Sequence, residues 1–265
     1  MSALRSLGLV LTIPSLLMLG CRQGNDHSPA QTTPGVAQEA KSSPGQGPAG
    51  CDQLPSADQL RGFLKQAPGK GEAGGLFSGQ REWAALVNRE GELCAVVVET
   101  DDPSASWPGS QGIAKAKAYT ANAFSTDLAP MSTARLYTMS QPGHSLWGAG
   151  AGNPLNPACL ETPKNHENLG TKLCGGTITF GGGLALYRGQ TKVGGLGLSG
   201  DTPCTDHEIA KRVRDMAGLN PPKGAYVDDI TYSSADGASI YTHPLCPNTW
   251  RNNKKIGEEP PAQGY

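Results

Sequence analysis

The sequence predicts an α+β domain in which helices pack on an antiparallel β-sheet. Two pairs of strand-like runs are each joined by a short glycine-containing turn, a pattern typical of antiparallel hairpins. Segments with helical spacing of apolar residues lie before, between and after these hairpins. Strands and helices that mix in this order are typical of one sheet with helices packed on it.

The first predicted helix is followed by the first hairpin. A capping box between Ser56 and Gln59 begins this helix. Its apolar residues fall on one face: Leu60, Phe63 and Leu64. The hairpin then has strands over Trp83–Asn88 and Leu93–Glu99, with a turn at Glu90-Gly91 between them.

An alanine-rich segment, Ser110–Phe124, is predicted to form the second helix. One side of it carries Ile113, Ala116, Thr120 and Phe124. Residues 149–173 follow the helix after a spacer and contain three X-Pro pairs with little periodicity. We interpret them as an irregular insertion.

The second hairpin is rich in glycine. Its strands are Leu184–Arg188 and Thr191–Leu198, and Gly189-Gln190 suits a tight turn of type II′. The second strand contains Gly194, Gly195 and Gly197, which weaken a sheet unless something approaches the backbone closely. Either a packed helix or a flat ligand would satisfy that need, and helix packing is the simpler interpretation.

The last predicted helix begins with a capping box between Thr205 and Glu208. Its apolar face carries Ile209, Val213 and Met216. Residues 221–265 form a loop-rich extension in which we predict a short strand near Ile240. The basic cluster at Arg251–Lys255 is predicted to be a solvated tail.

The first 21 residues have the pattern of a lipoprotein signal peptide. Arg5 precedes an apolar run, Leu7–Leu19, that is too short to span a bilayer as a stable helix. The run ends in Leu-Gly-Cys, so Cys21 is the expected lipidation site. The sequence therefore predicts a membrane-anchored protein outside the cytoplasm, in the periplasm or on the cell surface.

Residues 22–50 are predicted to be a disordered tether, because they contain many Gly and Pro and almost no large apolar residue. The formal net charge is −1 and the sequence pI is about 6.5. This balance shows no basic excess, so nucleic acid is not an expected partner.

The cysteine count favours disulfides. Seven cysteines are present, and removing Cys21 leaves six, an even number that suits an oxidising compartment. Six cysteines allow fifteen pairings, among which sequence alone does not decide. Proximity favours Cys159–Cys174; Cys204–Cys246 would fasten the extension, and Cys51–Cys94 would tie the domain's start to its first hairpin. Structural zinc is disfavoured because no CxxC or CxxH spacing occurs.

Three stretches in one order resemble the GlcG/HbpS family of haem-binding and haem-degrading domains. Lys117–Phe124 (KAYTANAF) resembles the family's helical K-A-x-T-A-x-x-F pattern. Gln141–Gly148 (QPGHSLWG) resembles its Q-P-G-x-x-L-aromatic-G turn. Phe180–Thr202 (FGGGLALY to GGLGLSGDT) is similar to its glycine-rich hairpin. The resemblance covers Leu54–Gly218 and implies a profilin-like domain, which we place at residues 51–220.

The resemblance implies a haem cofactor or a related tetrapyrrole ligand in a flat apolar slot. The predicted slot residues are Thr120, Phe124, Gln141, His144, Trp147, Phe180, Gly181, Gly182 and Gly183. His144 is the first candidate for the iron ligand and His207 the second; an oxygen of Thr120, or no strong protein ligand, is also compatible. His27, His166 and His243 are interpreted as solvated.

The resemblance further implies capture, storage, sensing or slow breakdown of haem, and assembly into homo-oligomers. Whether the protein is an enzyme stays open, since haem iron itself activates oxygen species, and a binding protein is the primary interpretation. Two alternatives belong to other classes of function. One is an accessory domain for a small organic acid such as glycolate, and the other is a structural interaction module. A polar slot would favour the first, and a filled core the second.

Overall fold

A computed structural model describes residues 49–160 and 173–258 of the 265-residue chain. The predicted signal peptide with Cys21, nearly all of the tether, His27 and His166 lie outside these residues. Within the described ranges, no helix has the length and apolar character needed to cross a membrane.

Four antiparallel strands form the central sheet. The first hairpin consists of β1 (Trp83–Asn88) and β2 (Leu93–Val98), and the second of β3 (Gly183–Arg188) and β4 (Thr191–Ser199). The strand order is β2-β1-β4-β3, so the two hairpins join through β1 and β4. The predicted α+β class with an antiparallel sheet is confirmed.

Helices cover both faces of this sheet. The helices are α1 (Ala57–Gln66), α2 (Ser110–Ala123), α3 (Ala149–Gly152), α4 (Pro203–Met216) and α5 (Ser233–Asp236). Helices α1 and α4 pack on one face and α2 packs on the other. Strand β1 contributes to both cores because its side chains alternate between the faces. Ala84 and Leu86 face α1 and α4, whereas Trp83, Ala85 and Val87 face α2.

The N-termini of α1 and α4 are capped in different ways. At α1 the predicted capping box is present: the Ser56 hydroxyl accepts the Gln59 N–H, and the Gln59 amide oxygen accepts the Ser56 N–H. The predicted box of α4 is wrong, because Thr202 is the N-cap and its hydroxyl accepts the Thr205 N–H. Pro203 occupies the first helical position. A backbone N–H at this position has no acceptor within the helix, so its absence in proline costs no helical hydrogen bond.

The glycines of β4 allow close approach of backbone. A Cβ added at Gly197 would lie 2.0 Å from the Ala114 carbonyl oxygen, and one at Gly195 would lie 2.2 Å from that of Ala118. Both carbonyls belong to α2, so helix packing accounts for these two glycines. A Cβ at Gly194 would instead clash with the carbonyl of the neighbouring strand β1. The interpretation of these glycines as packing positions is therefore confirmed.

All three predicted disulfides are present: Cys51–Cys94, Cys159–Cys174 and Cys204–Cys246. The first ties the start of the described chain to β2. The second lies against α2 in the core on that side of the sheet. The third joins the N-terminus of α4 to the C-terminal extension.

The C-terminal extension is ordered against α4. The predicted strand near Ile240 is wrong; the extension's strands are β5 (Thr249–Arg251) and β6 (Lys254–Gly257), which pair with each other. The predicted solvated basic tail is confirmed for Lys254 and Lys255, which are exposed, and is wrong for Arg251. The Arg251 guanidinium forms two hydrogen bonds with Asp236 at 2.5 and 3.0 Å, because the folded extension brings these two residues together.

A fully buried ion pair fastens the extension to α4. The Arg214 guanidinium contacts both carboxylate oxygens of Asp228 at 2.7 Å. Neither side chain is exposed. Arg214 also donates to the carbonyls of Ala185 and Ala225, which satisfies much of its remaining donor capacity.

Candidate functional site

An apolar groove of about 240 Å³ lies along the first half of α2. The helix side of the groove is formed by Gly109, Gly112, Ile113 and Ala116. The facing wall includes Leu155, Leu160 and Ile178. The groove therefore lies between α2 and two segments that the sequence presents as irregular.

Hydrogen bonds hold the facing wall together. The Asn153 amide donates to the Thr177 hydroxyl at 2.9 Å, and the Asn156 N–H donates to the Cys174 carbonyl at 2.8 Å. A β-bridge joins Leu155 to Gly175. These contacts make the wall a defined structure although its sequence shows little periodicity.

Small residues bring this wall directly onto the helix. A Cβ at Gly112 would lie 2.8 Å from a methyl carbon of Leu160. A Cβ at Gly176 would lie 2.7 Å from the Ala116 Cβ, and Gly176 has a φ of +85°. Gly176 is thus required both by its left-handed backbone and by the lack of space.

Thr120 fixes the wall to α2. Its hydroxyl donates to the Ala116 carbonyl at 2.7 Å and accepts the Ile178 N–H at 3.0 Å. The side chain is fully buried. The hypothesis that a Thr120 oxygen binds iron is therefore wrong, because the hydroxyl is occupied and enclosed by protein.

The groove has the chemistry of a surface for a flat apolar ligand. Asn153 and Thr177 are the polar side chains of its described lining, and they bond to each other. No charged side chain lines it within the described ranges. Ligand sites for apolar molecules are typically built from such surfaces with few polar groups.

The run Gly181–Gly183 packs against protein and leaves no room for a ligand. A Cβ at Gly181 would lie 2.1 Å from the Pro203 carbonyl oxygen, and one at Gly182 would lie 2.5 Å from that of Leu198. All three glycines are buried. The prediction that they line a slot is corrected, since the space beside them is filled by α2, α4 and β4.

Beneath these glycines lies a buried ion pair. The Lys117 ammonium donates to an Asp206 carboxylate oxygen at 2.6 Å and to the Leu198 carbonyl at 2.8 Å. It also lies 4.9 Å from the centre of the Phe180 ring. Phe180 is therefore positioned over a structural lysine, and the lysine links α2 to α4.

Glu82 lies beside this pair and is completely buried. Burial and the neighbouring Asp206 carboxylate raise the pKa of Glu82 well above its ordinary value. The neutral form of this carboxyl group is therefore favoured over the carboxylate. This part of the core holds one cation among several acidic groups, so a further negative charge would be unpaired.

The remaining predicted slot residues lie at or near the surface. Phe124 is the C-cap of α2 and is 37% exposed, and Trp147 is 65% exposed. Gln141 is half-buried, with its amide donating to the Tyr137 carbonyl, and His144 is exposed. Among the described rings, none of the contacts joins Phe124, Trp147 and Phe180. Phe124 and Trp147 are therefore accessible from solvent, and a slot that they share with Phe180 stays a prediction.

Two of the histidines are buried away from the groove. His207 is fully buried in α4, with Nε2 3.4 Å from an Asp229 oxygen, and burial lowers its pKa. His243 was expected to be solvated but is 2% exposed. Its Nδ1 contacts the Pro244 carbonyl at 2.7 Å, and its Nε2 accepts the Gly181 N–H at 3.3 Å. Neither histidine belongs to the groove lining.

A second, polar pocket of about 170 Å³ lies beside α4. It is lined by cations from Lys70, Lys211 and Arg212. The Lys211 ammonium already contacts Glu208 at 2.5 Å and Asp229 at 2.8 Å. Arg212 donates to three backbone carbonyls. The Lys211 charge is thus paired and the Arg212 donors are occupied. The lining also includes the acidic residues Glu208 and Asp215, which disfavour a small organic acid as the ligand.

The helix side of the groove has a recognisable pattern in the sequence. Gly109, Gly112, Ile113 and Ala116 are spaced by three, one and three residues, which places them on one face of a helix. The wall could not be predicted because it comes from residues 150–160, which have no periodic pattern. The family motif Lys117–Phe124 begins in the other half of α2, after these groove residues.

The chain belongs to the HbpS-like family of haem-degrading proteins. The family model matches residues 77–215, which is more than half of the chain and includes the three motif stretches. The resemblance stated from the motifs is therefore confirmed.

One known protein is also similar in sequence to part of the chain. Corrinoid adenosyltransferase PduO from Salmonella typhimurium is 34% identical over 111 residues, which are 42% of this chain. The matched part is 25% of PduO, so the chain spans about a quarter of that relative's length.

Several solved structures are also similar. A PduOC–haem complex is 22% identical with a TM-score of 0.44, covering 62% of this chain and 93% of its own. ORFY from Klebsiella pneumoniae is 19% identical with a TM-score of 0.44, covering 69% and 98%. A double mutant of HbpS from Streptomyces reticuli is 15% identical with a TM-score of 0.37, covering 71% and 97%.

Proposed function

We propose that this domain binds haem or a related tetrapyrrole, with one face of the macrocycle against the groove along α2. The family supports the class of ligand. The groove supports the location, because its described lining combines aliphatic side chains with exposed backbone and lacks charge. The uncharged apolar lining is the observation that carries this proposal.

The size of the groove favours partial rather than complete enclosure. Its volume of about 240 Å³ is below the roughly 300–1,000 Å³ of pockets that bury a drug-sized ligand. A porphyrin would therefore contact Ile113, Leu155 and Ile178 with one face while its propionate edge stays in water. Such a geometry suits capture and release better than permanent retention.

The described lining supplies contact surface and no strong iron ligand. Histidine, cysteine, methionine and tyrosine are absent from the described groove residues. His144 is exposed and stays the first sequence-based candidate for an axial ligand, while the burial of His207 disfavours the second. When bound, haem would supply the iron chemistry itself, and the protein would orient the ring.

The proposed setting is outside the cytoplasm, with the domain held at a membrane by lipid on Cys21 and a tether over residues 22–50. The three disulfides support this setting, since such bonds persist in oxidising compartments. We propose capture, storage or sensing of haem as the role, with slow haem breakdown as a second activity. Homo-oligomers stay a prediction.

The test is a haemin titration of residues 22–265, followed through the Soret band. In the variant Ile113→Glu a carboxylate would have to be desolvated beneath an apolar ring, at a cost of several kcal/mol. We expect saturable one-to-one binding by the wild type and at least about a tenfold loss of affinity in the variant.

Ile240→Glu is the matched control, because Ile240 is 54% exposed and lies outside the groove lining. It makes the same change of charge and should leave haemin affinity unchanged. Equal affinity in Ile113→Glu and the wild type would remove the groove as the site. A wild-type titration without saturation would exclude haem as the ligand and would favour the alternative of a structural interaction module.

A further inference from the structure

We propose that Cys204, Cys246 and His243 form a Cu(I) site when the disulfide between the two cysteines is reduced. The two sulfurs and a ring nitrogen of His243 lie within 4.8 Å of one another. All three residues are buried. The proposal does not depend on haem binding, since these residues lie outside the α2 groove.

A ring nitrogen of His243 is the third candidate ligand. Its Nδ1 contacts the Pro244 carbonyl at 2.7 Å, which places the proton on Nδ1 and the lone pair on Nε2. That lone pair accepts the Gly181 N–H at a long 3.3 Å, and a metal bound at Nε2 would replace this hydrogen bond. The rings of Tyr137 and Tyr232 lie 5.1 and 6.4 Å from the imidazole and hold its plane.

Backbone groups surround the sulfurs. The Cys204 N–H donates to the Cys246 sulfur at 3.3 Å. Cys204 is the second residue of the fourteen-residue helix α4, so the sulfurs lie close to the partial positive charge of a helix N-terminus.

The ligand set selects the metal. Two thiolates and one imidazole make a soft, three-coordinate site, and soft thiolate ligands favour Cu(I). Structural zinc takes four protein ligands, and the described cluster offers three.

The cluster should survive opening of the disulfide because other contacts hold the extension in place. Arg214 on α4 forms a buried ion pair with Asp228 of the extension, which follows it by 14 residues in the sequence. The Lys211 ammonium contacts Asp229 at 2.8 Å. We therefore expect Cys246 to stay close to Cys204 when the S–S bond is broken.

The reduction is a two-electron step. A dithiol reductant transfers two electrons and two protons to the disulfide, which yields two thiols and the oxidised dithiol. Binding of Cu(I) then displaces the thiol protons to solvent. When an oxidised dithiol takes two electrons from the two thiolates and two protons from solvent, the S–S bond forms again, both thiolate ligands are lost and the metal is released.

The experiment uses residues 22–265, reduced on an immobilised phosphine resin without oxygen and titrated with Cu(I) against bicinchoninate. We expect the reduced wild type to bind one Cu(I) more tightly than the same chain with Cys204→Ser and Cys246→Ser. We expect His243→Gln to lose at least about tenfold in affinity. This variant keeps all six cysteines, so it separates the proposed site from general binding by thiols.

A chain with Cys159→Ser and Cys174→Ser is the matched control, since it removes another disulfide and should retain the tight Cu(I). Far-UV circular dichroism of the reduced protein checks that the extension stays folded. Equal affinity of the wild type and His243→Gln would overturn the proposal. Loss of structure on reduction, or equal Cu(I) binding by the oxidised protein, would overturn it as well.

Discussion

At the scale of single residues, Lys117 shows how one buried charge joins two helices. Its ammonium pairs with Asp206 at 2.6 Å, and the side chain has no exposed surface. In the variant Lys117→Met the Asp206 carboxylate would stay buried without its partner. We expect the free energy of unfolding to fall by about 3–5 kcal/mol, as measured by urea denaturation.

The control for this prediction is Lys65→Met. Lys65 pairs with Asp101 at 3.2 Å, but its side chain is 45% exposed and that of Asp101 is 81% exposed. Pairs exposed in this way contribute less than about 1 kcal/mol. Similar losses in the two variants would contradict the structural role of Lys117.

His243 makes stability depend on pH in the acidic range. Its pKa falls from 6.5 to about 4 on folding, chiefly because of burial. Between these values the unfolded chain binds a proton that the folded chain excludes, so stability falls as the pH drops. Across that window the loss is about 3 kcal/mol. His243→Gln should flatten this part of the curve of unfolding free energy against pH, and an unchanged slope would contradict the assignment.

The sequence predicted features set by neighbouring residues, such as the capping box of Ser56 and Gln59, and missed most contacts between distant segments. The pairing of Cys204 with Cys246 was one of fifteen possible arrangements and was proposed because it would fasten the extension. The burial of His243 could not be predicted, because it arises only when a loop-rich extension folds back on α4. The same cause makes Arg251 a partner of Asp236 instead of a solvated cation.

At the scale of elements, the contact of β4 with α2 depends on glycine. A Cβ at Gly197 would lie 2.0 Å from the Ala114 carbonyl and 2.4 Å from the Ala118 nitrogen. Both are backbone atoms of α2, so neither can move without a shift of the helix. Gly197→Ala should therefore lower the free energy of unfolding by about 1–3 kcal/mol or more.

The matched control is Gly69→Ala, since no atom lies within 4 Å of a Cβ at Gly69. It should leave the midpoint of thermal unfolding almost unchanged. Equal effects of the two substitutions would mean that loss of glycine flexibility, and not helix contact, explains the result.

Both hairpins were predictable because their turns and strands are local signals. The start of α4 was not, since Thr202 and Thr205 are both good capping residues and only the chain path selects Thr202. The groove was missed for a related reason. Its wall is irregular in sequence and becomes defined through hydrogen bonds such as Asn153 to Thr177.

At the scale of the whole molecule, the two proposed binding sites lie in different parts of the chain. The family model ends at residue 215, so the domain with its α2 groove is the shared part. Residues 221–258 lie beyond that match and contribute His243 and Cys246 to the cluster at α4. Haem binding is thus proposed for the shared domain, and redox-dependent copper binding for the junction with the extension.

The most direct test of the central claim is to locate bound haemin by NMR. High-spin iron broadens nearby amide signals, so haemin is compared with diamagnetic zinc protoporphyrin on the same ¹⁵N-labelled chain. We predict selective broadening at Gly109, Gly112, Gly150 and Gly176 around the groove, with sharp signals in β5 and β6. Broadening centred on the turn at His144 and Trp147 with α2 unaffected, or no selective broadening, would contradict the account.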